Sequence, residues 1–256
     1  MSGVIALIQA RTGARRLANK VLLNLSGITV LEHVVNRVNR AKTVDEAVVV
    51  TTVHKEDLKI VELMSRKGVR VLCGSEDDVL DRYYQAARLL GARHVVRITA
   101  DCPVMDPAVI DRVIEYYFKS KADYCSNALT QTFPDGLDVE IFSFEALAKA
   151  WKNAKLASQR EHVTPYIRSH KRSFKIVSME HPLNLGHHRW TLDEEKDYVF
   201  LTKLFGTLYS GNPYFGMNDI LGFLEKNPKL TNINGGIARN EGYTRSLKND
   251  KVAVGG

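Results

Sequence analysis

The sequence lacks the features that mark secreted, membrane-spanning or zinc-stabilised proteins. It has three cysteines in 256 residues, Cys73, Cys102 and Cys125. They form no CxxC pair, which argues against a disulfide framework or a structural zinc site and favours a reducing cytoplasm. No apolar run approaches the roughly 20 residues of a membrane span, and the N-terminal apolar stretch is too short for a signal peptide. We therefore expect a cytoplasmic protein with no membrane partner.

The best-known phosphate-binding motifs are also missing. Neither GxxxxGK(S/T) nor GxGxxG occurs, and there is no internal repeat, low-complexity linker or long basic tail. Charge, in contrast, is unbalanced, since 36 Lys and Arg against 29 Asp and Glu give a net charge of +7 at pH 7. Such a chain attracts anions, which could be nucleic acid, a membrane surface or a phosphorylated substrate. Most of the cations are interleaved with acids, so nucleic acid is the less expected partner.

Strands and helices alternate along the first half of the chain. Apolar runs predict buried strands at Val4–Gln9, Ala47–Thr51, Val69–Cys73 and His94–Thr99. This alternation predicts an α/β fold with a mostly parallel central sheet flanked by helices on both faces. We expect a single domain over residues 1–256, with a less regular part at about 130–190 and a mobile tail at about 248–256.

Capping signals predict where several helices begin. They place helix starts at Thr29, Ser75, Asp106 and Ser158, two of them as capping boxes with Glu32 and Glu161. The helix from Ser75 is expected to reach Leu90, and the helix from Ser158 to reach His170. Residues 188–191 are expected to form a strand in the less regular second half.

The main functional signal is a basic loop that follows the first predicted strand. It carries Arg11, Arg15, Arg16 and Lys20 around Gly13. Ligands of open α/β sheets bind outside the carboxyl ends of the strands, so this loop and the one after His94–Thr99 should face the same site. Backbone N–H groups and cations together suit a triphosphate. On pattern alone, a basic loop is more often a solvated turn.

Two aspartates could hold a metal ion beside that loop, and each has a simpler structural interpretation. Asp101 follows the fourth predicted strand, where an Asx turn before Pro103 is common. Asp193 could cap a helix. Mg²⁺ is typically held by one or two carboxylates together with substrate phosphates, so both aspartates are also candidate ligands.

Other polar residues leave alternatives open. Asp138 and Glu140 are two apart in a predicted strand, so both point to one face, which is either an exposed sheet edge or a pocket wall. His187 and His188 are not expected to chelate one ion, because neighbouring strand residues face opposite ways. Cys102 is interpreted as a packed thiol rather than a nucleophile.

Six segments taken together resemble a known family. They are QARTGARRLANKVL, RITADCPVMDPAVID, DGLDVEIF, REHVTPYI, RWTLD and RNEGYTRSL. In this order they resemble the cytidylyltransferases of the spore coat polysaccharide biosynthesis protein F type, relatives of the acylneuraminate and Kdo cytidylyltransferases. The resemblance spans about residues 4–250. It implies a nucleotide-diphospho-sugar transferase fold, CTP as donor, Mg²⁺ as cofactor and a homodimer, with the irregular second half as its interface.

The family's loop pattern, Arg-x-Gly-Ser-x-Arg-Leu-Pro-x-Lys, can be carried over residue by residue. It matches this chain at Arg11, Gly13, Arg16, Leu17 and Lys20. Two positions depart, because Ala14 replaces the usual serine and Ala18 the usual proline. The first change removes a hydroxyl that could contact phosphate, and the second leaves the loop less pre-organised.

The resemblance also implies a reaction and a set of site residues. An acceptor oxygen would attack the α-phosphorus of CTP and release pyrophosphate, with catalysis by positioning and charge neutralisation. Nucleotide contacts are expected at Gln9, Ala10, Arg11, Gly13, Arg16, Lys20, Thr99 and Asp101. Of these, Arg11, Arg16, Lys20 and Asp101 are the expected catalytic residues, and Asp101 and Asp193 the metal ligands. The acceptor, a sugar, sugar acid or small phosphorylated compound, is expected at Arg97, Asp135, Asp138, Glu140, Arg160, His162 and Arg189.

Two other functions fit parts of the sequence. A glycosyltransferase that uses a finished nucleotide sugar could share the fold, but the segment after Asp101 offers no second acid for a DxD motif. A non-catalytic protein that binds polyanions would account for the net charge and for Ala14.

Overall fold

The computed structural model describes residues 3–14, 16–239 and 241–253, so Arg15, which we expected to be only solvated, lies outside them. The strands are β1 (Val4–Gln9), β2 (Asn24–Leu25), β3 (Ile28–Thr29), β4 (Glu46–Thr52), β5 (Val71–Gly74), β6 (His94–Thr99), β7 (Tyr124–Ser126), β8 (Glu140–Ser143) and β9 (Ile176–Ser178). The helices are α1 (Val30–Val38), α2 (Leu58–Arg66), α3 (Val79–Leu89), α4 (Pro107–Ser120), α5 (Phe144–Asn153), α6 (Ala157–His162), α7 (Pro165–Ser169), α8 (Glu195–Leu208), α9 (Met217–Lys226) and α10 (Glu241–Lys248). Short 3₁₀ helices span Lys20–Leu22, Lys55–Asp57 and Pro228–Asn232.

Seven strands form the central sheet in the order β5-β4-β1-β6-β8-β7-β9. Pairing is parallel throughout except at β8, which runs antiparallel to both of its neighbours. Strands β2 and β3 pair in a separate small hairpin. The prediction of a mostly parallel sheet flanked by helices is confirmed.

Helices cover both faces of the sheet, which explains why its central strands are mostly apolar. In β1, Val4, Ala6 and Ile8 join one buried cluster with side chains of α1, α4, α8 and α9. Ile5 and Leu7 point the other way and pack with α3 and α5. A strand buried on both sides has no solvent face to mark with polar residues. Within the described ranges, no helix is long and apolar enough to cross a membrane.

Two of the four predicted helix starts agree with the structure. Thr29 and Glu32 form the expected capping box, and Asp106 caps α4. The start at Ser75 is wrong. Its hydroxyl accepts from the Asp78 N–H at 3.0 Å, and Asp78 itself caps α3. Residues 75–78 therefore form a polar turn before the helix, at the carboxyl end of β5.

The predicted helix from Ser158 to His170 is also wrong in its start and its continuity. The Gln159 side chain, not Glu161, accepts the free N–H groups at the start of α6. Val163 has a left-handed φ of 70°, which separates α6 from α7. A β-branched residue rarely adopts that conformation, so no sequence pattern would have placed the break there.

The mobile tail expected at about 248–256 is described through residue 253, and residues 254–256 lie outside the described ranges. The Ala157 N–H donates to the Lys251 carbonyl at 2.8 Å, and the Ala253 N–H donates to the Lys155 carbonyl at 2.7 Å. The Ser158 hydroxyl donates to Asp250 at 2.6 Å. Through residue 253 the chain is therefore bonded to the start of α6.

Candidate active site

The two loops that were expected to share a site meet at the carboxyl ends of β1 and β6. These strands are neighbours, with Gln9 paired to Thr99. Beyond the strand ends, the Ala100 N–H still donates to the Gln9 carbonyl at 3.0 Å. The basic loop and the loop containing Asp101 thus leave the sheet side by side.

Lys20 lies between the two aspartates that were proposed as metal ligands. Its Nζ is 2.6 Å from Asp101 Oδ2 and 2.7 Å from Asp193 Oδ1. The three side chains are only 13 to 24% exposed. The Leu192 N–H donates to the Asp101 carbonyl at 2.8 Å, which fixes the two acidic segments to each other. The fold therefore brings together three residues that are far apart in the sequence.

Electrostatics keeps this cluster ionised. Burial disfavours the charged form of Asp101, but the ammonium of Lys20 outweighs it and lowers the pKa of Asp101 to about 2. Burial likewise opposes the charge on Lys20, and Asp101 and Asp193 together raise its pKa above the ordinary value. Lys20 and Asp101 are therefore both charged at neutral pH.

This pair of carboxylates fits a magnesium ion that arrives with phosphate. Both converge on one cation, and carboxylate oxygens are ligands that Mg²⁺ prefers. Among residues 3–14, 16–239 and 241–253 there is no cluster of three or more His, Cys, Asp or Glu that could hold a metal. The remaining ligands would have to be phosphate oxygens or water, which is common for Mg²⁺.

Asp193 is not the helix cap that its sequence position allowed. Helix α8 starts at Glu195, and Asp197 Oδ2 accepts the N–H groups of Asp193 and Glu194 at 2.9 and 3.0 Å. The Asp193 carboxylate contacts Arg16 at 3.0 Å and Arg189 at 3.3 Å as well as Lys20. It therefore lies among three cations.

The other loop arginines lie on different sides of the cluster. Arg16 adds contacts to Glu194 at 3.2 Å and Glu241 at 3.0 Å. Arg11 is 43% exposed and pairs with Glu76 at 3.3 Å, beside the turn that precedes α3. A side chain at Gly13 would come within 3.8 Å of the same Glu76 carboxylate. Arg16 thus shares Asp193 with Lys20, whereas Arg11 pairs elsewhere.

An acid that the sequence analysis missed holds the loop. Asp57 accepts from the Thr12 N–H at 2.7 Å and from the Thr12 hydroxyl at 2.6 Å, and it also accepts from Thr52. Asp57 lies 45 residues from Thr12 in the sequence. No local motif marks such a pairing.

The residues proposed for the acceptor fall into three groups. In the first, Arg97 and Glu140 form a buried ion pair. Glu140 also accepts from Tyr124 at 2.5 Å and Thr164 at 2.6 Å, and Arg97 donates to the Gln9 side chain at 3.0 Å. Glu140 is therefore interior, and the exposed-edge interpretation is wrong for it.

The second group is Asp135, Asp138 and Arg189, joined by Arg239. Arg239 pairs with Asp138 and lies 3.5 Å from Asp135, which pairs with Arg189 at 3.0 Å. Burial, together with nearby Asp135 and Glu140, raises the pKa of Asp138 to about 7, although Arg239 opposes that rise. Arg239 is a member of this site that sequence reasoning did not single out.

A glycine fixes the position of that acidic loop. Gly136 has φ of 104°, and a Cβ there would lie 2.7 Å from the Trp190 backbone carbonyl carbon. Only glycine permits both the positive φ and the close approach. Asp135 is thereby held against Arg189, with an isolated bridge between them in place of the strand expected at residues 188–191.

The third group, Arg160 and His162, contacts helices around the site. Arg160 pairs with Asp78 at 2.8 Å and donates to the Trp151 carbonyl at 2.7 Å. His162 is hydrogen-bonded to Ser246 at 2.9 Å, and its ring lies 5.0 Å from that of Tyr243. Burial lowers the pKa of His162 to about 4.

Of the other residues expected to contact the nucleotide, Ala10 is hydrogen-bonded through its backbone and Thr99 is packed against Cys102. Ala10 is buried, and its N–H donates to the Val50 carbonyl at 3.1 Å. The Thr99 hydroxyl lies 3.2 Å from the Cys102 sulfur. Burial raises the pKa of the Cys102 thiol well above its usual range, as expected for a packed thiol and not for a nucleophile.

The expectation that the side chains of His187 and His188 face opposite ways is wrong. Their rings lie 4.1 Å apart, because the two residues sit in a turn and not in a strand. Burial, with His187 adjacent, lowers the pKa of His188 to about 4.

A parallel sheet whose carboxyl edge carries a basic loop beside two convergent aspartates is the arrangement of a nucleotidyltransferase. A family model described as cytidylyltransferase matches residues 5–205. The chain belongs to this cytidylyltransferase family.

Relatives cover nearly the whole chain. An uncharacterized protein of Methanocaldococcus jannaschii is 44% identical over 239 residues, which are 91% of this chain and 95% of that protein. The spore coat polysaccharide biosynthesis protein SpsF of Bacillus subtilis is 29% identical over 89% of this chain and 96% of that protein. The structure of a cytidylyltransferase from Leptospira borgpetersenii serovar Hardjo-bovis is 30% identical, with a TM-score of 0.85, over 93% of this chain and 100% of that chain.

Proposed function

We propose that the protein transfers CMP from CTP to a sugar, sugar acid or small phosphorylated acceptor and releases pyrophosphate. The observation that carries the proposal is Lys20, held between Asp101 and Asp193 at the carboxyl edge of the sheet. The similarity to SpsF supports a product that enters surface polysaccharide.

In the proposed reaction, an acceptor oxygen forms a bond to the α-phosphorus of CTP. The bond from that phosphorus to the bridging oxygen breaks, and pyrophosphate leaves with the electron pair. The acceptor proton passes to solvent. Lys20 and Arg16, which pair with Asp101 and Asp193, would balance the charge that grows on the leaving pyrophosphate. Mg²⁺ held by Asp101 and Asp193 would neutralise phosphate charge and polarise the α-phosphate.

The acceptor would lie next to the nucleotide, against the Asp135–Asp138 loop and Arg239. These charges are paired with each other, and Asp138 keeps 31% of its side chain exposed. Acidic groups with exposed oxygens suit sugar hydroxyl donors. The ion pair of Arg97 and Glu140 lies behind this surface and would support it.

The direct test is pyrophosphate release with each of CTP, UTP, ATP and GTP, with neutral sugars, sugar acids and sugar phosphates as acceptors. Release that needs CTP, Mg²⁺ and one acceptor class supports the proposal. Asp101→Ala should lower the rate about 10²-fold or more, since it removes a proposed ligand of Mg²⁺ and a carboxylate that holds Lys20. Glu62→Ala, which removes an exposed carboxylate on α2, is the control. Hydrolysis of nucleotide sugars without any use of CTP would instead indicate a glycosyltransferase.

The homodimer is part of the proposal. We expect two chains to associate through residues 130–190, and light scattering of the purified protein tests this. A mass near the 28.8 kDa of one chain would contradict it.

A further inference from the structure

The basic loop is closed on itself at Thr12. The Thr12 carbonyl accepts from the Ala14 N–H at 2.8 Å and from the Asn19 N–H at 3.0 Å. Asn19 adopts a left-handed φ of 55°, which asparagine tolerates better than most residues, and Lys20 follows directly. The position of Thr12 therefore determines the position of Lys20.

Thr12 is in turn held from outside the loop. Asp57 accepts both of its donors, the N–H at 2.7 Å and the hydroxyl at 2.6 Å. Thr52, the last residue of β4, donates to the second oxygen of the same carboxylate. Asp57 is 2% exposed and Thr12 is 5% exposed, so water competes little for these bonds. Burial disfavours the charge on Asp57, yet the three donors lower its pKa below the ordinary value.

The basic loop of this chain is expected to be less pre-organised than the loop pattern of the family implies. Ala14 and Ala18 stand where a serine and a proline are usual in the loop pattern. Without the proline ring, residue 18 has more backbone freedom to lose when the loop is ordered. A buried carboxylate with three donors supplies order by another route.

We propose that Asp57 is the positioning residue of the phosphate-binding loop. By holding Thr12, it fixes Lys20 between Asp101 and Asp193, in place of the proline that is absent at residue 18. The inference rests on the proposed function, because the loop must bind the triphosphate. Asp57 itself contacts Thr12 and Thr52 and acts on the nucleotide only through them.

The chain contains a matched control at the other end of the sheet. Asp111 accepts from the Thr43 N–H at 2.9 Å and from the Thr43 hydroxyl at 2.6 Å, and it also accepts from the Lys42 N–H. This is the same carboxylate–threonine arrangement, but it lies before β4, at the amino end of the strands. Asp111→Asn should therefore leave nucleotide binding unchanged, although it too removes a carboxylate that holds a threonine.

The experiment measures binding of Mg²⁺–CTP by calorimetry and the separate kcat and KM values for CTP. Asp57→Asn should weaken binding and raise KM about tenfold, the effect of losing charged hydrogen bonds, with a smaller change in kcat. Adding Ala18→Pro to Asp57→Asn should restore several-fold of that loss. Binding by Asp57→Asn as tight as that of Asp111→Asn would overturn the inference.

If Asp57→Asn does not fold, two variants of Thr12 test the same proposal. Thr12→Val removes the hydroxyl bond and should weaken binding several-fold, whereas Thr12→Ser keeps it and should bind as the wild type does. Equal binding by these two variants would overturn the inference. Failure of the proposed function is distinguishable, because the wild type would then neither bind nor turn over CTP.

Discussion

Two charged clusters border β6, and they differ in their exposure to solvent and in the number of donors around each carboxylate. Beyond the strand end, Lys20 is shared by Asp101 and Asp193, whose carboxylates are 22 and 24% exposed. Within the strand, Arg97 faces Glu140, which is 9% exposed and has further donors from Tyr124 and Thr164. The carboxylates of the first cluster are thus more open to solvent than Glu140, whose oxygens are enclosed by their donors.

This difference distinguishes residues that can meet a ligand from residues that hold the fold. Buried ionic groups whose partners are complete hold the fold, since removing one leaves the other charged and unpaired. Partly exposed carboxylates can take a ligand without breaking interior bonds. By this criterion we expect Asp101 and Asp193, with Lys20 between them, to meet the substrate, and we expect Arg97 and Glu140 to support the strands.

Lys20→Met should have the largest effect and should act on activity. Pyrophosphate release should fall about 10² to 10³-fold, because a charge that stabilises the leaving group is lost. The melting temperature should fall less than in Glu140→Gln, because Asp101 and Asp193 are more exposed than Glu140 and Asp193 keeps two other cations. Steady-state kinetics and thermal unfolding check both parts, with Lys59→Met on the exposed face of α2 as control. A large loss of stability with full activity would reverse the roles assigned to the two clusters.

Glu140→Gln should show the opposite pattern. It leaves Arg97 buried beside a neutral amide, and we expect a loss of about 3 kcal/mol in the free energy of unfolding. The KM for CTP should stay within about threefold of the wild type, because the pair lies behind the site. Urea denaturation and kinetics at a temperature where the variant is folded measure the two quantities. An unchanged urea midpoint with a lost acceptor response would make Glu140 a direct binding residue.

Part of the pH dependence of stability between pH 7.5 and 5 should come from a buried histidine that lies outside both clusters. Burial lowers the pKa of His33 to about 4, and its ring donates to the Leu25 carbonyl at 2.7 Å. The unfolded chain binds a proton near pH 6.5 and the folded chain does not, so stability is present above 6.5 and is lost as pH falls toward 4. We expect a loss of about 2 kcal/mol by pH 5. His33→Gln, followed by urea denaturation at both pH values, should remove that part of the pH dependence, and an unchanged pH dependence would refute this origin.

The smallest effect is expected at Glu241, an exposed partner of Arg16 at the edge of the proposed nucleotide site. Glu241→Gln removes one of three carboxylates around Arg16, in a pair that is 30 and 39% exposed. Affinity for Mg²⁺–CTP should rise about twofold, as befits a solvated ion pair. Glu195→Gln removes an equally charged, exposed neighbour without a contact to Arg16 and should leave affinity unchanged. Calorimetry of both variants measures this, and tighter binding by Glu195→Gln alone would contradict it.

Sequence and structure agree where local pattern suffices. The doubly buried strands follow from their apolar runs, and the place of Lys20 and Asp101 follows from the rule that ligands meet the carboxyl ends of strands. Asp57 and Arg239 could not be found in this way. They act across 45 and about 100 residues of sequence, through side-chain pairs that carry no periodic signal.

The second half of the chain shows the same limit. The break at Val163 and the bonding of the tail to α6 depend on tertiary contacts that override local helix signals. Asp193 was ambiguous in the sequence because a cap and a metal ligand use the same residue type. In the structure α8 begins after Glu194, Asp197 accepts the N–H groups of Asp193 and Glu194, and the Asp193 carboxylate contacts cations instead.

The most direct test of the account is thermal unfolding of the wild type with CTP, UTP, ATP and GTP, each with and without Mg²⁺. A ligand that binds only the folded chain raises the melting temperature by mass action. We predict a rise that is selective for CTP and requires Mg²⁺, and that is absent in Lys20→Met. No rise with any nucleotide, or an equal rise in Lys20→Met, would contradict a triphosphate site built around Lys20, Asp101 and Asp193.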